Sequence, residues 1–395
     1  YNDRLAVDLS PVQIDSLLAV WRERQTLGAY EEFFSTYVGF DPAAAAAGDR
    51  TPDSVYVRRL RDLVSPVQLP YNYIVKGYID RYTNVRSGTI SRILGMSQYY
   101  FPLIEEELIK AGLPVELRAL PIIESALSPT AVSPMGAAGL WQFMPATGKV
   151  YGLEVNSLVD ERCDPVLSTR AACRYLKDLY TLYKDWTLAI AAYNCGPGNV
   201  NKALARAGDG SRTFWDIYDF LPRETRGYVP AFIGASYAYA YHKLHGIEFT
   251  EPPLPLATDT IRVDRLLHLG QVSSTIDIPM ETLRQLNPQY KLDIVPATTK
   301  TYSLVLPQRY VCRYIQQQDS IFAKDSAYLK EYMNPANLEK KRQQRSGTIY
   351  TVKKGDTLGA IARKYRVTTA QLMRWNGIKN ANKLRLGQKI RIEGR

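Results

Sequence analysis

The sequence predicts a multidomain, mainly α-helical protein that ends in two small βααβ modules. Three observations carry this. Apolar residues recur at helical spacing almost continuously from about Ser97 to Leu244, the pattern changes after Pro252-Pro253, and Ile261–Asn287 superimposes without gaps on Tyr350–Asn376. A chain of 395 residues with 46% hydrophobic and 23% charged side chains has room for two or three such domains and a substantial core.

Residues 1–95 hold helices in pieces, such as Gln13–Arg24 with Ile14, Leu17, Leu18 and Trp21 on one face, and are expected to pack on the next domain. Ala43–Ala47 is a loop or short helix, and a helix over Tyr71–Tyr82 follows Leu69-Pro70. Residues 96–250 form the catalytic candidate, punctuated at Gly112, Pro129, Gly152, Pro197, Gly208 and Pro222. Its clearest later helices are Arg170–Tyr183, Thr187–Asn194 and Val229–Leu244, while Glu105–Glu107 is expected to be a solvated helix face. In the repeat, Val263 falls on Val352, Leu269-Gly270 on Leu358-Gly359, Val272 on Ile361, Ile278 on Val367, Leu283 on Leu372 and Asn287 on Asn376. Each copy runs strand, helix, helix, strand, ending at Tyr302–Leu306 and Lys389–Ile392. The modules are assigned to 258–307 and 347–395, with 308–346 a partly helical linker marked by the polar stretches Gln316–Asp319 and Lys340–Arg345.

The net charge of +11 resembles a nucleic-acid signature until it is mapped. From Glu339 to Arg395 there are 16 Lys and Arg against 3 Asp and Glu, leaving 34 basic against 36 acidic residues elsewhere. No nucleic-acid partner is expected of a nearly neutral body, and the basic tail either holds an anionic polymer or is a solvated face. Cys163, Cys173, Cys195 and Cys312 lack metal-ligand spacing, as do His242, His245 and His268, so neither a metal nor a cofactor is expected. Cys173 and Cys195 lie on apolar helical faces, and no disulfide pairing follows from spacing. No apolar run approaches the roughly 18 residues of a membrane span. The chain opens on Tyr1 rather than Met and is read as a mature or trimmed fragment, with room upstream for a signal peptide or lipid anchor. A monomer is expected.

The segment that carries chemistry begins at Glu124-Ser125, continues through Ser133 and Gly136-Ala137-Ala138-Gly139-Leu140-Trp141-Gln142-Phe143-Met144-Pro145, and returns at Ala192-Tyr193-Asn194 and Glu224-Thr225-Arg226-Gly227-Tyr228-Val229. Glu124 follows Leu120-Pro121-Ile122-Ile123 and precedes Ala126-Leu127, near the end of an apolar helix. Burial there favours the neutral acid, whereas a free Glu titrates near pH 4.3. A carboxyl that keeps its proton near neutral pH suits protonation of a poor leaving oxygen, as glycosidic cleavage requires.

Together these motifs resemble the family 1 lytic transglycosylases, which are related in fold to goose-type lysozyme; the resemblance covers about residues 95–245. It implies a lysozyme-like catalytic domain that cleaves the β-1,4 bond between N-acetylmuramic acid and N-acetylglucosamine in peptidoglycan and leaves 1,6-anhydro-muramyl ends. By the same resemblance Glu124 is the acid/base, and Ser133, Gln142, Met144, Tyr193, Asn194, Glu224 and Tyr228 line the cleft. Gln142 and Tyr193 are expected to donate hydrogen bonds to N-acetyl and ring substituents. Trp141 departs from the Met or Leu usual in the family and alters either packing or a sugar platform. Gly136 and Gly139 fit a tight turn as well as a cleft wall, and Glu224 fits an ion pair with Arg223 or Arg226 as well as a substrate contact.

Tyr350 through Asn376 is similar to the LysM motif, and the order of parts resembles the membrane-bound D type of these enzymes. Gly355-Asp356-Thr357 makes a turn and N-cap, which is already a structural reason for those residues. The resemblance adds glycan binding at Gly355, Asp356, Thr357, Ile378 and Lys379. The first copy has Leu266-Leu267-His268 at that turn and is expected to be a structural module. The partner implied is the peptidoglycan glycan strand, in the cell envelope, periplasmic or associated with the outer membrane. A lysozyme-like hydrolase of the same bond is the nearest rival. An inactive wall-binding scaffold is a second, against which intact Glu124, Gln142 and Tyr193 argue.

Overall fold

Tyr228–Tyr241 is a helix that is apolar all round, and Tyr228 through Ala235, Tyr237 and Ala238 are buried, as such a helix must be. In the computed structural model the described residues are 51–83, 88–208, 210, 213–330, 334, 336, 348–353, 355–365, 367–376, 378, 380–381 and 384–392. The expected Gln13–Arg24 helix, Ala43–Ala47, Lys340–Arg345 and Lys379 lie outside them. The chain divides into two compact units, one running up to Ala131 with Thr169–Pro255, the other Val132–Ser168 with Leu256 onward. The span expected as one catalytic domain over 96–250 therefore contributes to both.

Among the described residues of the first unit the helices are α1 (Asp53–Asp62), α2 (Tyr73–Tyr82), α3 (Thr89–Ala111), α4 (Leu120–Ser125), α6 (Pro165–Tyr183, entering from the second unit), α7 (Trp186–Cys195), α8 (Pro197–Ala207), α9 (Arg223–Arg226) and α10 (Tyr228–Tyr241); α5 (Pro145–Val150) belongs to the second. α10 packs on α2, α4 and α7. Its approach to α2 needs Gly234, where a Cβ would stand 2.9 Å from the Tyr78 carbonyl carbon. Side-chain caps set two starts: Asn72 accepts from the Val75 N–H at 2.9 Å, and Asp185 from the Leu188 N–H at 2.8 Å.

The buried stripe of α3 is Ile90, Ile93, Leu94, Ser97, Tyr100, Phe101, Ile104, Glu107 and Leu108, and the helix ends at Gly112 with φ 68°. That stripe corrects the expectation of a solvated Glu105–Glu107 face. Glu107 is only 8% exposed, and its carboxylate accepts two hydrogen bonds from Arg170 at 2.9 Å. The Arg170 pair holds the Glu107 carboxyl below the usual carboxylate range against the opposing effect of burial.

In the second unit β1 (Thr258–Val263) pairs antiparallel with β4 (Tyr302–Pro307), in register from Thr258 opposite Pro307 to Val263 opposite Tyr302. Between them come β2 (Leu267–His268), α11 (Leu269–Ile276), α12 (Met280–Leu286) and β3 (Ile294–Val295). The stretch expected as a linker is otherwise occupied. α13 (Gln308–Gln316), α14 (Gln318–Phe322) and α15 (Asp325–Tyr328) follow β4, and Tyr314, Ile321, Phe322 and Leu329 are buried in the same core as Val263, Leu269 and Leu304. Leu158 and Val159 join that core from the Val132–Ser168 segment.

The last module repeats the order with β5 (Thr348–Thr351), α16 (Leu358–Lys364), α17 (Thr369–Asn376) and β6 (Lys389–Ile392), β5 and β6 being antiparallel. Val352, Leu358, Ile361, Leu372 and Ile390 form its own core. All four cysteines are free thiols, and burial pushes Cys163 and Cys173 up to about 12. Among the described residues no helix is long and apolar enough to cross a membrane.

Candidate active site

Glu124 sits in the last turn of α4, a helix whose other residues from Leu120 to Ile123 are buried. Pro121 near the start of α4 helps set its entry, and the left-handed Ala126 and Leu127, φ 52° and 60°, end it. Their N–H groups return to the Ile122 and Pro121 carbonyls at 3.0 and 3.1 Å, and the Ser125 hydroxyl also donates to Pro121. Adjacent left-handed residues without glycine are strained, so the turn that fixes the Glu124 backbone is held by these bonds and by the burial of Leu127.

The Glu124 side chain is half-buried, and the hydroxyl of Tyr228 at the start of α10 donates a short hydrogen bond to its Oε1. Desolvation pushes the carboxyl up to about 7, although the Tyr228 bond pulls the other way by favouring the anion. Near neutral pH the group is therefore divided between acid and carboxylate. Tyr228, placed by sequence among the cleft-lining residues, is the hydrogen-bond partner of the acid itself.

Tyr193 and Asn194 lie in the last turn of α7. The Tyr193 ring lies 5.2 Å from that of Tyr175, and its hydroxyl is pushed well above its ordinary value, by burial first and then by the nearby Glu124 charge. Asn194 is exposed, and its Oδ1 accepts from the Thr225 hydroxyl at 2.9 Å. Thr225 was not singled out in the sequence, although it stands within the fourth motif. Its neighbour Glu224 is exposed on the short helix α9. Arg226 donates to the Leu221 and Asp219 carbonyls, at 3.1 and 2.6 Å, and stands 3.8 Å from the Asp219 carboxylate.

Ser133, Gln142 and Met144 belong to the second compact unit. Ser133 closes a turn, its N–H donating to the Ala137 carbonyl and its carbonyl accepting from the Gly136 N–H, each at 2.8 Å, while its hydroxyl accepts from the Ala137 N–H at 3.0 Å. Gly136 and Gly139 both take φ 85°, and a Cβ on Gly139 would fall 1.8 Å from the Arg162 carbonyl oxygen. Gln142 follows with φ 47°, half-buried, its amide donating to the Gly139 carbonyl at 2.9 Å. Met144 is 41% exposed, and Trp141 is fully buried. The Trp141 departure is thus a matter of packing, and a sugar platform at that ring is ruled out by its lack of accessible surface.

In the last module Gly355 turns with φ 91°, Asp356 accepts from the Tyr350 hydroxyl at 2.6 Å and the Lys353 N–H at 2.7 Å, and Thr357 caps α16 through the Ala360 N–H at 3.1 Å. Ile378 is half-buried against the module core. The polar turn is accordingly occupied with closing the fold. In the first module His268 takes the capping role, its Nδ1 accepting from the Gly270 N–H at 3.0 Å, and the Tyr328 ring lies over it at 5.4 Å.

Residues 101–215 match the family described as Transglycosylase SLT domain, 257–323 the Lytic transglycosylase MltD, LysM-like domain, and 350–393 the LysM domain. The chain is 32% identical to membrane-bound lytic murein transglycosylase D of Escherichia coli K12, over 74% of its own length and 63% of that relative's. It is 31% identical to the soluble lytic murein transglycosylase of the same strain over 30% of this chain and 19% of that protein. The 70 kDa soluble lytic transglycosylase structure from Escherichia coli aligns at 25% identity and a TM-score of 0.33, covering 45% of this chain and 30% of that one. The chain thus spans less than two thirds of the length of the D-type relative. These three matches fall in the order in which the helical and βααβ parts occur along the chain, and each is a likeness of that stretch of sequence.

Proposed function

We propose that this chain is a peptidoglycan lytic transglycosylase, cleaving the β-1,4 bond between N-acetylmuramic acid and N-acetylglucosamine with formation of 1,6-anhydro-muramyl ends. The observation that carries the reading is the Glu124 carboxyl, desolvated to a pKa of about 7 and gripped by Tyr228. Such a group donates its proton to the bridging oxygen and becomes a carboxylate that the Tyr228 hydroxyl stabilises. The carboxylate then takes a proton from the sugar's own 6-hydroxyl, whose oxygen closes on the anomeric carbon.

Because that nucleophile is tethered, effective molarities on the order of 10⁵ M or more are accessible and a second carboxylate is not required. Gln142 and Tyr193 are assigned to the N-acetyl and ring substituents, Ser133, Met144, Asn194 and Glu224 to the cleft walls. Gly355, Asp356, Thr357, Ile378 and Lys379 are assigned to glycan binding by the last module. Peptidoglycan lies outside the cytoplasmic membrane, so the activity belongs to the cell envelope.

Mass analysis of products from purified peptidoglycan tests the reading. Anhydro-muropeptides from wild type, with almost none from Glu124→Gln, are expected. Reducing ends instead point to a hydrolase using water, and no release at all to a wall-binding scaffold.

A further inference from the structure

A buried ion pair stands outside this chemistry. The Asp160 and Arg162 side chains are 8% and 7% exposed, and Asp160 accepts from Nε and Nη2 of Arg162, each at 2.8 Å. Removed from water, such a pair needs its remaining donors satisfied. Nη1 of Arg162 donates to the carbonyls of Gly136 at 2.7 Å and Phe143 at 2.9 Å, which bracket the turn bearing Gln142. The main-chain carbonyl of Arg162 meanwhile occupies the space a Cβ on Gly139 would need. One residue thus grips that turn with both its guanidinium and its backbone.

The same stretch is fastened to the LysM-like module. The Asp160 N–H donates to the Gln289 carbonyl at 2.9 Å and the Lys291 N–H to the Leu158 carbonyl at 2.7 Å, while Leu158 and Val159 enter the module core. Lys291 Nζ reaches the Asn156 carbonyl at 2.9 Å and stands 3.6 Å from Asp160. Lys300 pairs with Glu154 at 2.6 Å, and the Tyr302 hydroxyl donates to that carboxylate at 2.9 Å.

We infer that the LysM-like module serves as a built-in template for the turn that bears Gln142, holding its shape through Asp160 and Arg162, with Lys291 as its outer fastening. Arg162, Asp160 and Lys291 are then positioning residues for glycan cleavage. The inference rests on the reading of Gln142 as a substrate contact.

Steady-state turnover of a short soluble glycan by the full chain tests it. Arg162→Lys keeps the charge but loses the fork, and is expected to lower kcat about tenfold with KM within about twofold, less than the roughly hundredfold that a full ångström of misplacement can cost. Combined with Gln142→Ala it should add less than about twofold to the loss from Gln142→Ala alone, because both changes remove the same contact. Thermal melts accompany each variant. Should Arg162→Lys fail to fold, Lys291→Met at its half-buried position carries the same test, with an expected loss of about threefold. Full turnover by the folded variants, or losses that add to that of Gln142→Ala, overturn the inference and leave the cleft reading intact. Full turnover by Gln142→Ala overturns both.

Discussion

Tyr228 and Glu124 lie 104 positions apart in sequence, yet the phenol donates directly to the carboxyl. The contact opposes the effect of the site around it. Burial favours the neutral acid, the hydrogen bond favours the anion, and their balance leaves the group near pH 7, where it can both give and recover a proton.

Replacing Tyr228 with Phe removes the influence that lowers the Glu124 pKa. Because the first step needs the protonated acid, the alkaline limb of the pH–rate profile should move to higher pH. Peak turnover should fall about tenfold as the departing carboxylate loses its donor. An alkaline limb that stays in place or moves down contradicts this account.

Glu124→Gln should lower product release by about 10³-fold while glycan binding persists. It should also stabilise the fold. The folded pKa is raised above the unfolded value, so the wild-type carboxyl destabilises the native state progressively from about pH 4.3, and fully above its folded pKa of about 7. Melting temperatures of the two proteins should therefore agree near pH 4 and diverge by pH 8 in favour of the variant. An equal gap at both pH values would mean that the carboxyl is not desolvated.

Gly139→Ala meets the Arg162 carbonyl and a left-handed backbone at once. A loss of about 2–4 kcal/mol in denaturant unfolding is expected. Gly198→Ala, where nothing stands within 4 Å of the added carbon, should change stability far less.

Deleting residues 347–395 should weaken binding to whole sacculi more than it slows cleavage of short soluble glycans, since tethering raises the local concentration of the enzyme only on a polymer. Equal losses on both substrates would argue against a targeting module.

Much of the fold was legible because packing repeats leave a period. Val263 and Val352, Leu283 and Leu372, are buried at matching positions of the two modules. Glu124 was legible for a similar reason, standing in an apolar run that predicts desolvation. What escaped was long-range polar pairing. Nothing within α3 announces that Glu107 faces inward toward Arg170, 63 positions away, or that the polar Gln316–Asp319 stretch separates Tyr314 from Ile321 and Phe322 in one core. The grip of Arg162 on Gly136 and Phe143 likewise joins residues that no helical or strand period relates.

The two modules also furnish the same position of the repeat with different side chains. Tyr328, carried on α15, lies so close to Gly270 that a Cβ there would sit 2.7 Å from its ring, which is tilted against His268 at the entrance to α11. One order of strands and helices thus carries two different entrances to its first helix, one lined by an aromatic ring from a helix beyond the repeat, the other by the Asp356 turn.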